Sequence, residues 1–167
     1  IYHTLSLHDS LSIFKSKKSG RGKKHSKGKH LQIGDGHMKE KTCCFFGHRT
    51  INETEELKSK LIEIIEKLIV DENVDTLLFG SKSRFNSLCL ELVTELKEKY
   101  PHIKRVYVRS AFQHIPDWYE NSLLEHYEDT YFPEHMEKAG KASYVERNQE
   151  MINKSDFCVI YYDENYL

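Results

Sequence analysis

A doubly wound α/β fold with a mainly parallel sheet is predicted by three features of the chain. Short apolar runs alternate with amphipathic helical stretches from residue 42 onward. Two of those runs stop at a glycine, Gly47 and Gly80, where a strand would end. Each connection is long enough to carry a helix, which is what parallel pairing requires.

The elements follow in order. Thr42, Cys43, Cys44, Phe45 and Phe46 form an apolar run that reads as a buried strand. Residues 53–72 read as a helix, because Leu57, Leu61, Ile64 and Leu68 recur at helical spacing. Glu53, Glu55 and Glu56 suit its positive N-terminal end. Residues 74–79 are the second strand. Residues 85–99 are the second helix, with Phe85, Leu88, Leu92 and Leu96 on one face and Pro101 past its end. Residues 105–108 form a third strand, 144–154 a further helix, and 157–162 a last apolar strand. Between them, residues 110–134 are the least regular stretch, with Pro116, Pro133 and many aromatics. Covering helices on both faces follow from the crossovers.

The length of 167 residues fits one ordinary domain, large enough to build a core without staples. The four cysteines show no CxxC pair, so a disulfide scaffold or a zinc ribbon is not expected. Cys43, Cys89 and Cys158 read as small buried hydrophobes. Cys44 with His48 lacks a second ligand pair, so no metal is expected. No run approaches the length of a membrane span, and nothing reads as a signal peptide. A soluble, cytoplasmic protein is the expectation.

The net charge of −1 hides a split. Residues 1–37 hold eight Lys/Arg against two Asp, a net +6, whereas the rest holds 17 basic against 24 acidic residues, a net −7. The Lys/Gly/Ser/His-rich run 15–29 is too polar to offset its ordering entropy and reads as disordered. The first Met is Met38, and the opening run from Tyr2 to Asp9 resembles translated sequencing-adapter read-through. Residues 1–37 are therefore expected to be a disordered basic extension of non-native origin, and 38–167 the domain. A basic arm for nucleic acid is the competing reading of the same segment.

In open α/β sheets ligands bind beyond the carboxyl ends of the strands. That places Gly47, His48 and Arg49 after the first strand, and Gly80 through Asn86 after the second. Asp163 and Glu164 follow the last strand. The helices after both glycines are expected to offer free N–H groups to an anion, reinforced by Arg49, Lys82 and Arg84. Neither loop matches GxGxxG or GxxxxGK[ST]. Trp118, Tyr119, Tyr127, Tyr131 and Phe132 read as core cover rather than a base-stacking platform. His102, His114, His126 and His135 read as ordinary surface or packing histidines.

The ordered set of the run 42–49, Phe79-Gly80-Ser81, Glu146-Arg147-Asn148 and the strand 157–162 resembles the SLOG superfamily, in its YpsA-like branch. That superfamily includes YpsA-like bacterial proteins, the DNA-processing DprA proteins and the LOG phosphoribohydrolases. The resemblance spans essentially all of 38–167. It implies a Rossmann-like fold with a nucleotide or nucleotide-derived ligand at the strand-end loops, held by Gly47, His48, Arg49, Gly80, Ser81, Phe85, Asn86, Arg147 and Asn148. Arg147 falls where LOG-type enzymes place an arginine at the start of a helix, and it would clamp a phosphate or a developing anion.

Two departures from that pattern bear on function. The loop after Gly80 reads Ser-Lys-Ser-Arg, with less glycine than relatives show. The Gly-Gly-x-Gly-Thr loop and downstream glutamate of LOG-type enzymes are not found before Leu167, so the chain reads as C-terminally truncated, with one sheet edge bare. A sensor or regulatory domain that binds a nucleotide-like small molecule is the leading expectation, with no catalytic residue and no further cofactor assigned. Cleavage of a nucleoside-monophosphate N-glycosidic bond is the alternative. DprA-like binding of single-stranded DNA is the third, disfavoured by the acidic body. A homo-oligomer stays open.

Overall fold

The computed structural model describes residues 2–6, 11–16 and 39–166. Five parallel strands form the body of the sheet: β3 (Lys41–Gly47), β4 (Val74–Phe79), β5 (Lys104–Val108), β6 (Asp129–Tyr131) and β7 (Phe157–Tyr161). Two more strands, β1 (Tyr2–Ser6) and β2 (Leu11–Ser16), extend it as antiparallel neighbours. The order across the sheet is β1-β2-β7-β3-β4-β5-β6. The chain thus steps outward from β3 to β6, then returns through a helix to place β7 on the other side of β3. The switch point lies between β3 and β7, as a doubly wound fold requires.

Helices α1 (Glu55–Val70) and α2 (Arg84–Lys99) follow β3 and β4. Both start on a hydroxyl cap: Thr54 Oγ1 accepts from the Leu57 N–H, and Ser83 Oγ from the Asn86 N–H, each at 3.1 Å. Their apolar faces, including Leu61, Ile65, Leu88 and Val93, bury against Cys43, Phe45, Leu77 and Phe79 on one face of the sheet. Helix α4 (Ser143–Lys154) follows β6. Its Met151 belongs to a smaller core on the opposite face, with Cys44, Leu78, Val106, Val108 and Cys158. Alternate residues of each strand therefore serve the two layers, which explains the continuous apolar runs. All four cysteines are free and buried, and burial pushes the Cys43 and Cys89 thiols up.

The irregular stretch 110–134 contains two elements that pattern alone did not show. Helix α3 (Asp117–Leu124) buries no side chain, so it has no apolar stripe to read. Strand β6 is three residues long. Its entry is held by Glu128, whose carboxylate accepts from the Arg105 backbone N–H at 2.6 Å and from the Arg105 guanidinium at 3.1 and 2.8 Å.

The expectation of a wholly disordered 1–37 segment is corrected at its start. Residues 2–6 pair with 12–16, and β2 runs antiparallel along β7 from Leu11 opposite Tyr161 to Lys15 opposite Phe157. Leu11 and Ile13 point to one side and are buried in the larger core, and Lys15 pairs with Glu72 at 3.2 Å. The free side of β7, expected bare, is thus covered. The rest of the basic run, residues 17–29, lies outside the described residues.

The Glu128 clasp generates a pH prediction. Burial pushes its carboxyl up, but the hydrogen bonds and charge of Arg105, with Lys97, outweigh this and hold it at about 2, against an ordinary 4.5. A depressed folded value stabilises fully above the unfolded value, and that contribution is lost as pH falls from about 4.5 through about 2. Glu128→Gln is expected to lower stability at pH 7 and to flatten the acid dependence in that window. Urea unfolding at pH 7, 4.5 and 3 measures it; parallel wild-type and variant profiles would contradict the clasp.

Candidate functional site

The carboxyl ends of β3, β4, β5, β6 and β7 share one end of the sheet, and α4 begins there. After β3, the glycine at 47 serves packing. A Cβ there would run into the ring of Phe85, which stacks on Tyr161 at 5.4 Å. Phe85 has no exposed surface, which corrects its expected place among the ligand contacts. Asn86 is also buried and donates to the Phe45 carbonyl at 3.2 Å, tying α2 to β3. His48 bridges the switch point, its Nε2 accepting the Asp163 N–H at 2.9 Å beside Tyr161 and Tyr162.

The expected anion site at the start of α2 is closed. The Arg84 N–H donates to the Arg49 carbonyl at 2.9 Å and the Phe85 N–H to the His48 carbonyl at 3.5 Å. The next two N–H groups, of Asn86 and Ser87, are taken by Ser83. A helix end whose orphan donors are already satisfied has little left for a ligand. Arg84 is spent as well. Its guanidinium grips Glu53 through two donors and reaches Glu91 at 2.8 Å, and both pairings hold its proton more tightly still. Arg49 and Lys82 are exposed. Ser81 Oγ accepts from the Ser83 N–H at 3.1 Å and so shapes the turn.

Arg147 behaves differently. It sits one turn into α4, is 3% exposed, and donates from Nη1 to the Gly80 carbonyl. Its Nε donates to Oδ1 of Asn148 at 3.1 Å. Among the described residues no group accepts from Nη2 and no carboxylate pairs with the guanidinium. The neighbouring Glu146 and Glu150 instead face His135, at 3.9 and 3.8 Å, and Glu150 also pairs with Lys154. Burial pulls the guanidinium below its ordinary pKa, opposed by Tyr107 and Tyr144. The guanidinium lies 5.7 Å from the Tyr144 ring centre.

Gly80 makes this arrangement possible. A Cβ there would stand 2.8 Å from Cδ of Arg147 and 2.9 Å from the Val108 carbonyl oxygen. Of the residues expected at the site, the structure therefore gathers Gly80, Arg147 and Asn148, with Ser81 adjoining. It sets His48 and Arg49 at the β3 side and withdraws Phe85 and Asn86 into the core. Tyr107 and Tyr144 flank the guanidinium and were missed by sequence reading. The signal for Tyr144 was available, since it stands three residues before Arg147 on one helix face. The expectation that Trp118 covers the core is also corrected, because it is 72% exposed. No group of three or more His, Cys, Asp or Glu gathers as metal ligands among the described residues. No helix there is long and apolar enough to cross a membrane.

A doubly wound, mainly parallel sheet with helices on both faces and a buried arginine at the carboxyl end of β4 defines a Rossmann-like α/β domain. The YpsA family model, described as the YspA SLOG family, matches residues 36–166, and the chain belongs to that family. The SLOG family points to binding or processing of nucleotide-related ligands. No curated protein matches the chain. The matched span takes in β3 to β7 and leaves β1 and β2 before it.

The packing account of Gly47 is testable. Gly47→Ala forces the buried Phe85 ring aside and is expected to cost about 1–3 kcal/mol, the usual cost of overpacking a core. Urea unfolding midpoints measure it. An unchanged midpoint would show that the ring is not held where the structure sets it.

Proposed function

We propose that this domain binds a nucleoside monophosphate or a closely related nucleotide-derived anion at Gly80 and Arg147, as a sensor or regulatory module. The observation that carries the reading is a buried guanidinium with no carboxylate partner among the described residues. An uncompensated buried charge is expensive, and an incoming phosphate supplies the missing counter-charge. The guanidinium fork matches phosphate geometry, and Nη2 is the donor left for it. Family membership supports a nucleotide-related ligand rather than a simple inorganic ion.

Within the site the roles are divided. Arg147 binds the anion, and its bond to the Gly80 carbonyl fixes one end of the fork so that little rotamer freedom is lost on binding. Asn148 steadies Nε. Tyr144 shields one side of the guanidinium from water, which strengthens its attraction for phosphate.

Isothermal titration of the full chain with AMP tests this. Saturable binding is expected, weakened roughly 10- to 100-fold by Arg147→Ala, the worth of a hydrogen-bonded charge. Arg147→Lys should recover only part, because an ammonium keeps the charge but loses the planar group whose bonds to Gly80 and Asn148 hold the remaining donor in place. No saturable heat in the wild type, or equal affinity in Arg147→Ala, would overturn the proposal.

A further inference from the structure

The segment after β5 is held in a costly shape. Phe112 has φ +60°, a left-handed conformation that a bulky aromatic side chain seldom adopts. Asn73 is the other non-glycine residue described there, and asparagine tolerates it. The Arg109 guanidinium enforces the Phe112 conformation by donating to the Phe112 and Gln113 carbonyls at 2.9 and 3.3 Å. Its own Nε is buried with no hydrogen-bond partner. The result is a phenyl ring left 73% exposed. Strain and an orphaned donor spent on presenting an aromatic ring to solvent call for a function.

That ring borders a cavity of about 360 Å³ at the carboxyl ends of β5 and β6. Phe132 and Met136 supply further apolar wall, Ser110 and Ser143 supply hydroxyls, and Gly140 leaves the rim open. Small-molecule pockets span roughly 300–1,000 Å³ and combine apolar walls with a few polar groups. The chain links the cavity to the arginine site at two points. Ser143 stands one turn before Arg147 on α4, so their side chains share a face. The Val108 carbonyl, which crowds Gly80, lies two residues before Ser110.

We infer that this cavity is the base subsite of the same site, in which the planar heteroaromatic ring of a nucleotide stacks on Phe112 while its phosphate engages Arg147. The inference rests on the nucleotide reading above and adds to it the residues that select a base-bearing ligand. Base–aromatic stacking is strong and tolerant of base identity, because every base has a π-face. The two serine hydroxyls can then meet the polar ring edge or the ribose. Phe112 is a binding residue in this account and takes no part in folding, so removing it should relieve the backbone.

The test compares AMP with ribose 5-phosphate, which keeps the anion and lacks the base, on wild type, Phe112→Gly and Phe112→Tyr. Wild type is expected to bind AMP about tenfold or more tighter than ribose 5-phosphate, by the stacking contribution. Phe112→Gly should lose that preference, leave ribose 5-phosphate affinity unchanged and raise the thermal midpoint, since glycine accepts φ +60° freely. Phe112→Tyr should restore the preference. AMP affinity untouched by Phe112→Gly, with ribose 5-phosphate still bound, overturns the base subsite alone. Failure of both ligands to bind wild type overturns the nucleotide reading and this inference with it.

Discussion

The guanidinium of Arg147, lodged against the carbonyl of Gly80, is the constraint around which this end of the molecule is arranged. It crosses from α4 to the end of β4, and so couples the layer on one face of the sheet to the loop that opens α2 on the other. The residue at 80 must be glycine for it to fit, since Arg147 Cδ and the Val108 carbonyl occupy the space of a side chain. Met151, one turn further along α4, anchors the same helix in the smaller core. A cation buried at a strand end is a poor way to hold a fold together. Under the proposed function it is a device kept ready for an anion.

The rest of the electrostatics at that end points the same way. At the start of α2, Arg84 is neutralised by Glu53 and Glu91 and the helix N–H groups by neighbouring carbonyls and Ser83, while Arg49 and Lys82 stay exposed to solvent. That leaves Arg147, on the β4–α4 side, as a buried positive charge with no carboxylate partner among the described residues. Phe112, Trp118, Tyr144 and Val145 are all exposed on segments that follow β5 or open α4. Exposed apolar surface beside a buried cation suits a ligand with one flat ring and one charged end better than it suits a protein face or a bare ion.

Much of the fold was legible because its strands are buried on both sides. The runs 42–46, 74–79 and 157–162 stand out without alternation, and Gly47 and Gly80 mark the carboxyl ends of the first two. The helices of the larger core announce themselves by leucine and isoleucine spacing. What stayed hidden had weak periodic signals: α3 buries nothing, β6 spans three residues, and β2 offers only Leu11 and Ile13 beside a lysine-rich run. The site was legible in part. Gly80 and Arg147 emerged from loop position and family resemblance, but the sequence could not show that Arg84 is consumed by two glutamates or that Phe85 is core. Those facts depend mainly on side chains that meet from distant parts of the chain, as Arg84 does with Glu53 and Phe85 with Tyr161. Phe112 was invisible for a different reason, since its meaning lies in a backbone angle.

The central claim is that Arg147 waits for an anion, and its most direct test is the dependence of the melting temperature on inorganic phosphate at constant ionic strength. Anything that binds only the folded state raises stability by RT ln(1 + [L]/Kd). The account predicts a logarithmic rise in the wild-type midpoint that is absent in Arg147→Met, beyond the general stabilisation by phosphate that both proteins share. Identical phosphate dependence in the two proteins would mean that the guanidinium is already compensated within the fold, and the account would be wrong.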